Sequence, residues 1–350
     1  MAESRRTLVS IDGDRFWING QPTCPGRTAR GLKLEGLLLN SRMVQATFDD
    51  LNPKTIGMWV GPDGKWDPEA NTDRFLAMLP AYREAGLLGI TVNFQGGSPQ
   101  GYSREQPWHN SAFDADGSLR ADYAGRMQRV IEGADALGMV VILGFFYFGQ
   151  DQRLRDEAAV IRACREATDW ICRHGFTNVV VEIGNEIDIH YDHAIIRPDR
   201  CAELIRLAQE ESAGRVPSPL GRLLVGTSFS GGKVPGESVV AVSDVLLIHG
   251  NGQNPTRLGH LIESTRNLGQ YRGQPIVINE DDHFDFDGDD GNFLTALRHG
   301  ASWGYFDYRM KDEAHEEGFQ SVPTDWSVSS KRKKAFFNLL AELTGSPRRF

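Results

Sequence analysis

The sequence predicts an α/β protein that folds as a single (β/α)8 barrel, the TIM barrel, with a small β-hairpin at its N-terminus. Eight short runs rich in Val, Ile, Leu and Phe recur along the 350 residues, and segments with a 3.6-residue apolar period separate them. Most runs are apolar throughout, which is typical of parallel strands that are buried on both faces. Eight strand–helix alternations in this length favour a closed barrel over an open doubly wound sheet.

The hairpin and the eight strands follow in chain order. Residues 8–22 contain Asp12-Gly13 and Asn19-Gly20, and we assign residues 1–22 to a hairpin that caps the floor of the barrel. Residues 1–350 then form one domain, because no repeat, low-complexity segment or Pro-rich linker divides them. The predicted strands are residues 36–40, 89–93, 140–147, 178–183, 223–227, 245–249, 275–279 and 304–308.

Helices are predicted between these strands. The first has Thr72 as its candidate N-cap, the apolar face Phe75–Tyr82, and Gly86 at its C-terminal end. The segment 228–243, between the fifth and sixth strands, is rich in Gly and Ser, and we expect no helix there. Further amphipathic faces lie within residues 123–134, 160–171, 204–207, 258–268 and 336–343.

Charge and hydropathy exclude two classes of partner. The chain has 38 Lys+Arg and 47 Asp+Glu, a net charge of −9, which argues against a non-specific nucleic-acid binder. Its apolar runs are far shorter than the ~20 residues that a membrane-spanning helix needs. The N-terminus has no apolar signal region, and we expect reduced thiols in a cytoplasmic protein from the spacing of Cys24, Cys164, Cys172 and Cys201.

No cofactor is expected from the glycine motifs. Gly226, Gly231 and Gly232 lack the spacing of a dinucleotide-binding turn. A P-loop that begins at Gly226 has Gly232 where the phosphate-binding Lys must stand.

The acidic stretch 281–290 does not fit a calcium-binding EF-hand either. Asp290 stands where that loop requires Gly, and Ala296 where it requires a bidentate Glu. We favour a solvated acidic loop over a looser calcium site or extra sugar contacts, and we predict no metal.

Two carboxylates are the candidate catalytic residues. Glu186 follows the fourth predicted strand and Glu280 follows the seventh, and these strands face each other across an eight-membered ring. Cleavage of a glycosidic bond needs one protonated and one ionised carboxyl group on opposite sides of the bond. The alternative for each residue is a simple ion pair with a Lys or Arg at the barrel mouth.

At these positions the sequence resembles glycoside hydrolase clan A, the retaining glycosidases with (β/α)8 barrels that include cellulase-like, β-mannanase-like and β-galactosidase-like families. The resemblance rests on Asn185-Glu186 and on Glu280. It implies that Glu186 is the acid/base, that Asn185 contacts the sugar 2-hydroxyl and that Glu280 is the nucleophile. The chain departs from the clan at Gly184 and Ile187, where Trp and Pro often stand.

Neutral amides and aromatic rings at the same end of the barrel would suit sugar hydroxyls and sugar C–H faces. Tyr308 is the nearest counterpart of the aromatic residue that often closes strand eight in the clan. Many clan members have an Arg on strand two near the nucleophile, where this chain has Asn93. Arg42, just past the first predicted strand, would take its place. The loop 96–112 would either wall off one end of the cleft, as in exo-action, or be a packed surface loop. The candidate substrate-binding residues are Arg42, Asn93, Gln95, Trp108, His109, Tyr147, Asn185, His249, Asn251 and Tyr308.

The sequence therefore predicts a retaining glycoside hydrolase that cleaves a small oligosaccharide or glycoside with two glutamates. A catalytically silent carbohydrate-binding barrel and a metal-assisted barrel hydrolase are the alternatives. The sugar, its linkage, exo or endo action and the oligomeric state stay open.

Overall fold

The predicted barrel is confirmed. A computed structural model of the chain describes residues 6–60, 64–103 and 105–350. Its parallel strands run in chain order around the barrel, each followed by a helical layer that covers its outer face. The strands are β1 Asn40–Arg42, β2 Gly89–Asn93, β3 Val140–Tyr147, β4 Val179–Asn185, β5 Leu224–Gly226, β6 Leu246–His249, β7 Ile276–Glu280 and β8 Gly304–Tyr305.

Hydrogen bonds connect all eight strands. Strands β5, β4, β3, β2, β1 and β8 form one sheet in that order, and β6 pairs with β7. Parallel bridges from Val277 to Ser302 and from Asp281 to Tyr305 join β7 to β8. Between β5 and β6, the Asp244 N–H donates to the Val225 carbonyl at 2.9 Å. The ring is thus continuous, and β4 and β7 lie across it from each other.

The described helices begin and end mostly where the sequence predicts. Helix α1 begins at an Asp67 N-cap that accepts from the Ala70 N–H. The expectation that Thr72 caps this helix is wrong, because its hydroxyl lies inside the helix and donates to Ala46 O. No described helix has both the length and the apolar character needed to cross a membrane. The helices are α1 Pro68–Glu84, α2 Ala121–Ala136, α3 Glu157–Arg173, α4 Cys201–Glu211, α5 Glu237–Val240, α6 Pro255–Arg266, α7 Asn292–Arg298 and α8 Lys331–Thr344.

Short elements differ most from the prediction. The segment 228–243, expected to lack a helix, contains the one-turn helix α5, and α7 was not expected at all. Strand β1 begins at Asn40 rather than at residue 36, because residues 36–39 are buried but make few ladder hydrogen bonds; Leu38, for example, donates its N–H to the Ser302 hydroxyl. An apolar run indicates which residues are buried, and the buried segment extends beyond the residues that pair in the sheet.

The floor of the barrel is apolar, and its upper interior is polar. Hairpin strands Val9–Asp12 and Arg15–Ile18 pair antiparallel, and Val9 and Phe16 pack on the lower barrel interior. Residues 1–5 of the assigned hairpin lie outside the described residues. That lower layer is formed by Leu38, Leu88, Val140, Ile142, Val180, Leu224, Val245, Leu247 and Val277. The interior is therefore apolar at the floor, and the candidate site residues lie toward the carboxyl ends of the strands.

The seam between β5 and β6 provides a test of barrel closure. The buried Asp244 carboxylate accepts two hydrogen bonds from Arg222, at 2.6 and 2.9 Å, and one from the Val225 N–H at 3.0 Å. We expect Asp244→Ala to lower the free energy of unfolding by about 3 kcal/mol, since it leaves a partly buried guanidinium and a strand N–H unpaired. Urea denaturation measures this loss, and the exposed Asp199→Ala serves as the matched control. Equal stability of the two variants would contradict the role given to this seam.

Candidate active site

The end of β4 directs Glu186 toward the barrel axis. Glu186 has a left-handed backbone with φ 51°, which costs a non-glycine residue about 1–2 kcal/mol. Its N–H donates to the Ser228 hydroxyl at 2.9 Å, so a residue that follows β5 stabilises the turn. The Glu186 side chain is 13% exposed. Strained backbone of this kind is concentrated at functional sites.

Glu280, the last residue of β7, forms a buried ion pair with Arg42 at the end of β1. The Arg42 Nε atom lies 2.9 Å from Glu280 Oε2, and both side chains are less than 10% exposed. Arg42 also donates from Nη2 to Asn185 Oδ1 at 3.0 Å. One guanidinium therefore fixes the carboxylate of β7 and the amide of β4 relative to each other.

His249, the last residue of β6, lies between the two glutamates. Its Nδ1 atom is 2.8 Å from Glu186 Oε1 and 3.7 Å from Glu280 Oε2. Carboxylate oxygens of Glu186 and Glu280 lie within 4.8 Å of each other. The predicted pair is thus brought together, with a fully buried imidazole beside it.

Burial and charge distinguish the groups of this cluster. Burial raises the pKa of Glu186, and the Glu280 carboxylate adds to that effect, although the His249 hydrogen bond opposes it. Burial alone would lower the pKa of His249, but Glu280 and Glu186 outweigh it and raise that pKa. Burial thus holds the pKa of Glu186 above its ordinary value, next to a Glu280 that is paired with the Arg42 cation.

Strands β2 and β3 add neutral polar groups. Asn93 is fully buried, and its two amide atoms have no hydrogen-bond partner among the described residues. The Tyr147 hydroxyl lies 3.2 Å from Ser98 Oγ, and burial, followed by the nearby Glu280 charge, raises the pKa of Tyr147. Gln95 instead donates to Ser111 and to the Gln150 carbonyl, so it holds the loop after β2 in place.

Two aromatic candidates lie away from the glutamates. Trp108 is 1% exposed and packs edge-on against Trp59 at 5.5 Å, which leaves no ring face for a sugar. The backbone N–H of His109 donates to Asp50, and burial together with neighbouring arginines lowers the pKa of its imidazole to about 4. These contacts indicate that both residues stabilise the loop, and their assignment to substrate binding stays a prediction.

The structure places one unexpected residue, Tyr102, next to the site. Asn251 Nδ2 donates to Glu280 Oε1 at 2.7 Å and to the Tyr102 hydroxyl at 2.6 Å. The Tyr102 ring packs edge-on against Tyr308, with 4.9 Å between centroids. Asn251 and Tyr308 were expected near the site, whereas Tyr102 was not among the candidate residues, and its only sequence signal is an aromatic residue within the loop 96–112.

A third carboxylate, Glu182, lies inside the barrel below the pair. It is fully buried, and its Oε1 accepts from Asn279 Nδ2 at 3.4 Å. Its negative charge contributes to raising the pKa of both Arg42 and His249. A Glu next to the last residue of the apolar run 178–183 was the available sequence signal for it.

Among the residues that the structure describes, two groups have the spacing of cation ligands: Glu186 with His249 and Glu280, and Asp281 with Asp282 and His283. In the first, the Arg42 guanidinium already contacts Glu280. In the second, the hydrogen bonds of Asp281 and Asp282 raise the pKa of His283 to about 10, so this imidazole is a cation at neutral pH. Side chains of the chain itself therefore balance the charge of both groups.

Comparison with known proteins identifies the fold. No protein-family model matches the chain, and no curated protein matches its sequence. An endo-1,4-beta-mannanase from Rhizomucor miehei aligns with 97% of this chain and 99% of its own, at 10% identity and a TM-score of 0.58. A GH5-4 broad specificity endoglucanase from Clostridium longisporum aligns with 88% of this chain and 97% of its own, at 11% identity and a TM-score of 0.56.

A longer chain from Bacteroides vulgatus aligns with 92% of this chain at 13% identity and a TM-score of 0.55, and this chain spans 58% of its length. Identities this low indicate shared architecture rather than shared chemistry. The chain thus has the (β/α)8 barrel fold of glycoside hydrolases such as these.

Proposed function

We propose that the chain is a retaining glycoside hydrolase that cleaves O-glycosidic bonds in a small oligosaccharide or glycoside. The observation that carries the proposal is the close approach of Glu186 and Glu280, whose carboxylate oxygens lie within 4.8 Å of each other. Retaining enzymes separate the two carboxyl groups by about 5–5.5 Å, and inverting enzymes by about 6.5–9.5 Å to admit a water. Oxygens that approach within 4.8 Å leave little room for a water between the two carboxylates, which supports direct attack by a carboxylate.

In the first step, Glu280 attacks the anomeric carbon while Glu186 transfers its proton to the departing oxygen. The carbon–oxygen bond to the leaving group breaks as the ester bond to Glu280 forms. Glu186, now ionised, takes a proton from a water that attacks the same carbon, and Glu280 departs as a carboxylate. The cycle returns both groups to their initial protonation states.

Neighbouring side chains have supporting roles in this proposal. Arg42 pairs with Glu280 and orients it, because its guanidinium lies 2.9 Å from Oε2. Asn185, whose carbonyl oxygen accepts from Arg42, keeps its amide hydrogens for the hydroxyl next to the anomeric carbon. Asn93, Tyr147 and Tyr308 offer further polar and aromatic contacts to the sugar.

We also propose a domain organisation, a partner and a cellular location for the enzyme. Residues 1–350 act as one catalytic domain with its hairpin at the barrel floor, and carbohydrate is the partner. All four cysteines lie within the described residues and are free thiols, which supports a cytoplasmic enzyme because thiols stay reduced there.

The stereochemistry of the first product tests the mechanism. We expect an aryl glycoside from a panel that includes furanosides to be hydrolysed with retention, since two displacements at one carbon restore its configuration. Proton NMR of the first-formed anomer, recorded before mutarotation, measures this. An inverted first product would contradict the proposal. Loss of turnover in chelator with recovery on a divalent metal would favour a metal-assisted hydrolase instead, and binding without turnover would favour a silent binding protein.

A further inference from the structure

The acidic segment Asp281-Asp282-His283 lies directly after β7 and has no role in the proposed two-glutamate chemistry. Asp281 is fully buried and accepts hydrogen bonds from Trp303 Nε1 at 2.8 Å and from Asn292 Nδ2 at 3.0 Å. His283 Nδ1 lies 2.6 Å from Asp281 and 3.3 Å from Asp282. The segment is therefore fixed to the barrel, and its imidazolium holds the next carboxylate in place.

Asp282 faces the loop after β2. Its Oδ1 accepts from the Gly252 N–H at 3.0 Å, and its Oδ2 accepts from the Tyr102 hydroxyl at 2.8 Å. Burial would raise the pKa of Asp282, but its hydrogen bonds with His283 and Tyr102 outweigh burial and lower it. Asp282 is thus an anion at neutral pH and can only accept, so the Tyr102 proton points toward it.

The direction of the remaining hydrogen bonds follows from this. With its proton committed to Asp282, the Tyr102 oxygen accepts from Asn251 Nδ2 at 2.6 Å. The same nitrogen gives its second hydrogen to Glu280 Oε1 at 2.7 Å. Because a carboxylate stands at each end of this series of hydrogen bonds, the Asn251 amide has one possible orientation, with its NH2 group toward Glu280.

We propose that Tyr102, anchored by Asp282, is a positioning residue that holds the Asn251 amide against the candidate nucleophile Glu280. The inference rests on the proposed function, and it assigns the acidic segment the role of an anchor for the loop after β2. Tyr102 acts through Asn251, so it need not touch the reacting atoms.

The Tyr102 ring, although 53% of the residue is exposed, has aromatic contacts that do not depend on its hydroxyl. The ring contacts Tyr308 edge-on and lies 5.6 Å from the Phe306 centroid. Gly101 has φ 90°, and a Cβ atom there would lie 2.9 Å from the Tyr308 ring, so the loop approaches β8 closely. Removal of the hydroxyl alone should leave the loop in place, which makes Tyr102→Phe an informative variant.

The ionised form of Glu280 is surrounded by groups from five elements. A change in its pH dependence must be judged against all of them, since each contributes to its electrostatic environment. Besides Asn251, the facing titratable groups are Arg42 from β1, Tyr102 from the loop after β2, Tyr147 from β3, Glu186 from β4 and His249 from β6.

We expect Tyr102→Phe to lower kcat/KM for an aryl glycoside about tenfold, because the Asn251 amide that donates to Glu280 loses the acceptor that fixes its orientation. The acid limb of the kcat/KM–pH profile should move to higher pH, because the pair of glutamates loses part of a hydrogen bond that favours its charged form. Asp282→Asn should move the limb in the same direction, since an amide no longer fixes the tyrosine proton. The double variant should resemble the single ones, because all three break one hydrogen-bond chain.

Tyr271→Phe is the matched control, because Tyr271 precedes β7 at the opposite end of the barrel; we expect it to leave the profile unchanged. Thermal unfolding shows whether each variant is folded. A folded Tyr102→Phe with the wild-type kcat/KM and acid limb would overturn the positioning role, as would fully additive effects of the two substitutions. Full activity of Glu280→Gln would instead overturn the proposed function itself, so the two failures are distinguishable.

Discussion

Glu280→Gln will lower kcat for an aryl glycoside by at least about a thousandfold, because the amide preserves the shape of the side chain but cannot displace a leaving group. Arg42, whose Nε atom lies 2.9 Å from Glu280 Oε2, should stay beside the substituted residue. The substrate-binding geometry should therefore persist. Initial rates across the aryl-glycoside panel measure the loss. The exposed Glu237→Gln changes the same atoms outside the site and should retain wild-type rates.

Glu280→Ala tests whether Glu280 acts as the nucleophile, and not only whether activity requires it. Truncation leaves a space next to Arg42 that azide can occupy, and azide there attacks from the side that the carboxylate occupied. We expect azide to restore turnover of an activated aryl glycoside and to give a glycosyl azide of inverted configuration, since only one displacement occurs. A variant that azide does not rescue, or one with normal activity without it, is incompatible with Glu280 as the nucleophile.

The position of the candidate catalytic pair could be predicted from sequence because it follows from strand ends alone. Glu186 and Glu280 each end a long apolar run, and parallel strands of a barrel present their carboxyl ends on one face. His249 was predictable for the same reason. These assignments need only local pattern and strand order, which a sequence contains directly.

Residues that act through long loops could not be predicted. The hydroxyl of Tyr102 meets Asp282 across 180 positions of sequence, and no periodicity relates a loop residue to such a partner. Trp108 illustrates a second limit: an aromatic residue in a loop near the site suggests a contact to the sugar, and the sequence does not indicate that its ring packs on Trp59. Composition indicates that a ring will be buried, but not whether protein or ligand covers it.

Glu186→Ala is expected to separate the two steps of the reaction. Glycosides with good leaving groups, such as dinitrophenolate, depart without protonation, so they should still form the glycosyl-enzyme in a rapid burst. Substrates with poor leaving groups should lose about 10²–10⁴-fold in kcat/KM, the contribution typical of general acid catalysis. Glu237→Gln again serves as the control and should show no change with leaving group.

The pH profile of the same variant identifies the group that donates the proton. Burial raises the pKa of Glu186, so its proton-donating form persists above the pH at which an ordinary glutamate ionises, and activity falls only as pH rises through that raised value. Glu186→Ala should remove this basic limb for dinitrophenyl glycosides. Azide should now attack the glycosyl-enzyme from the side opposite Glu280 and give a glycosyl azide of retained configuration. Because Glu280→Ala gives the inverted azide, the pair of products assigns each glutamate to its own face of the sugar, and the same configuration from both variants would contradict that assignment.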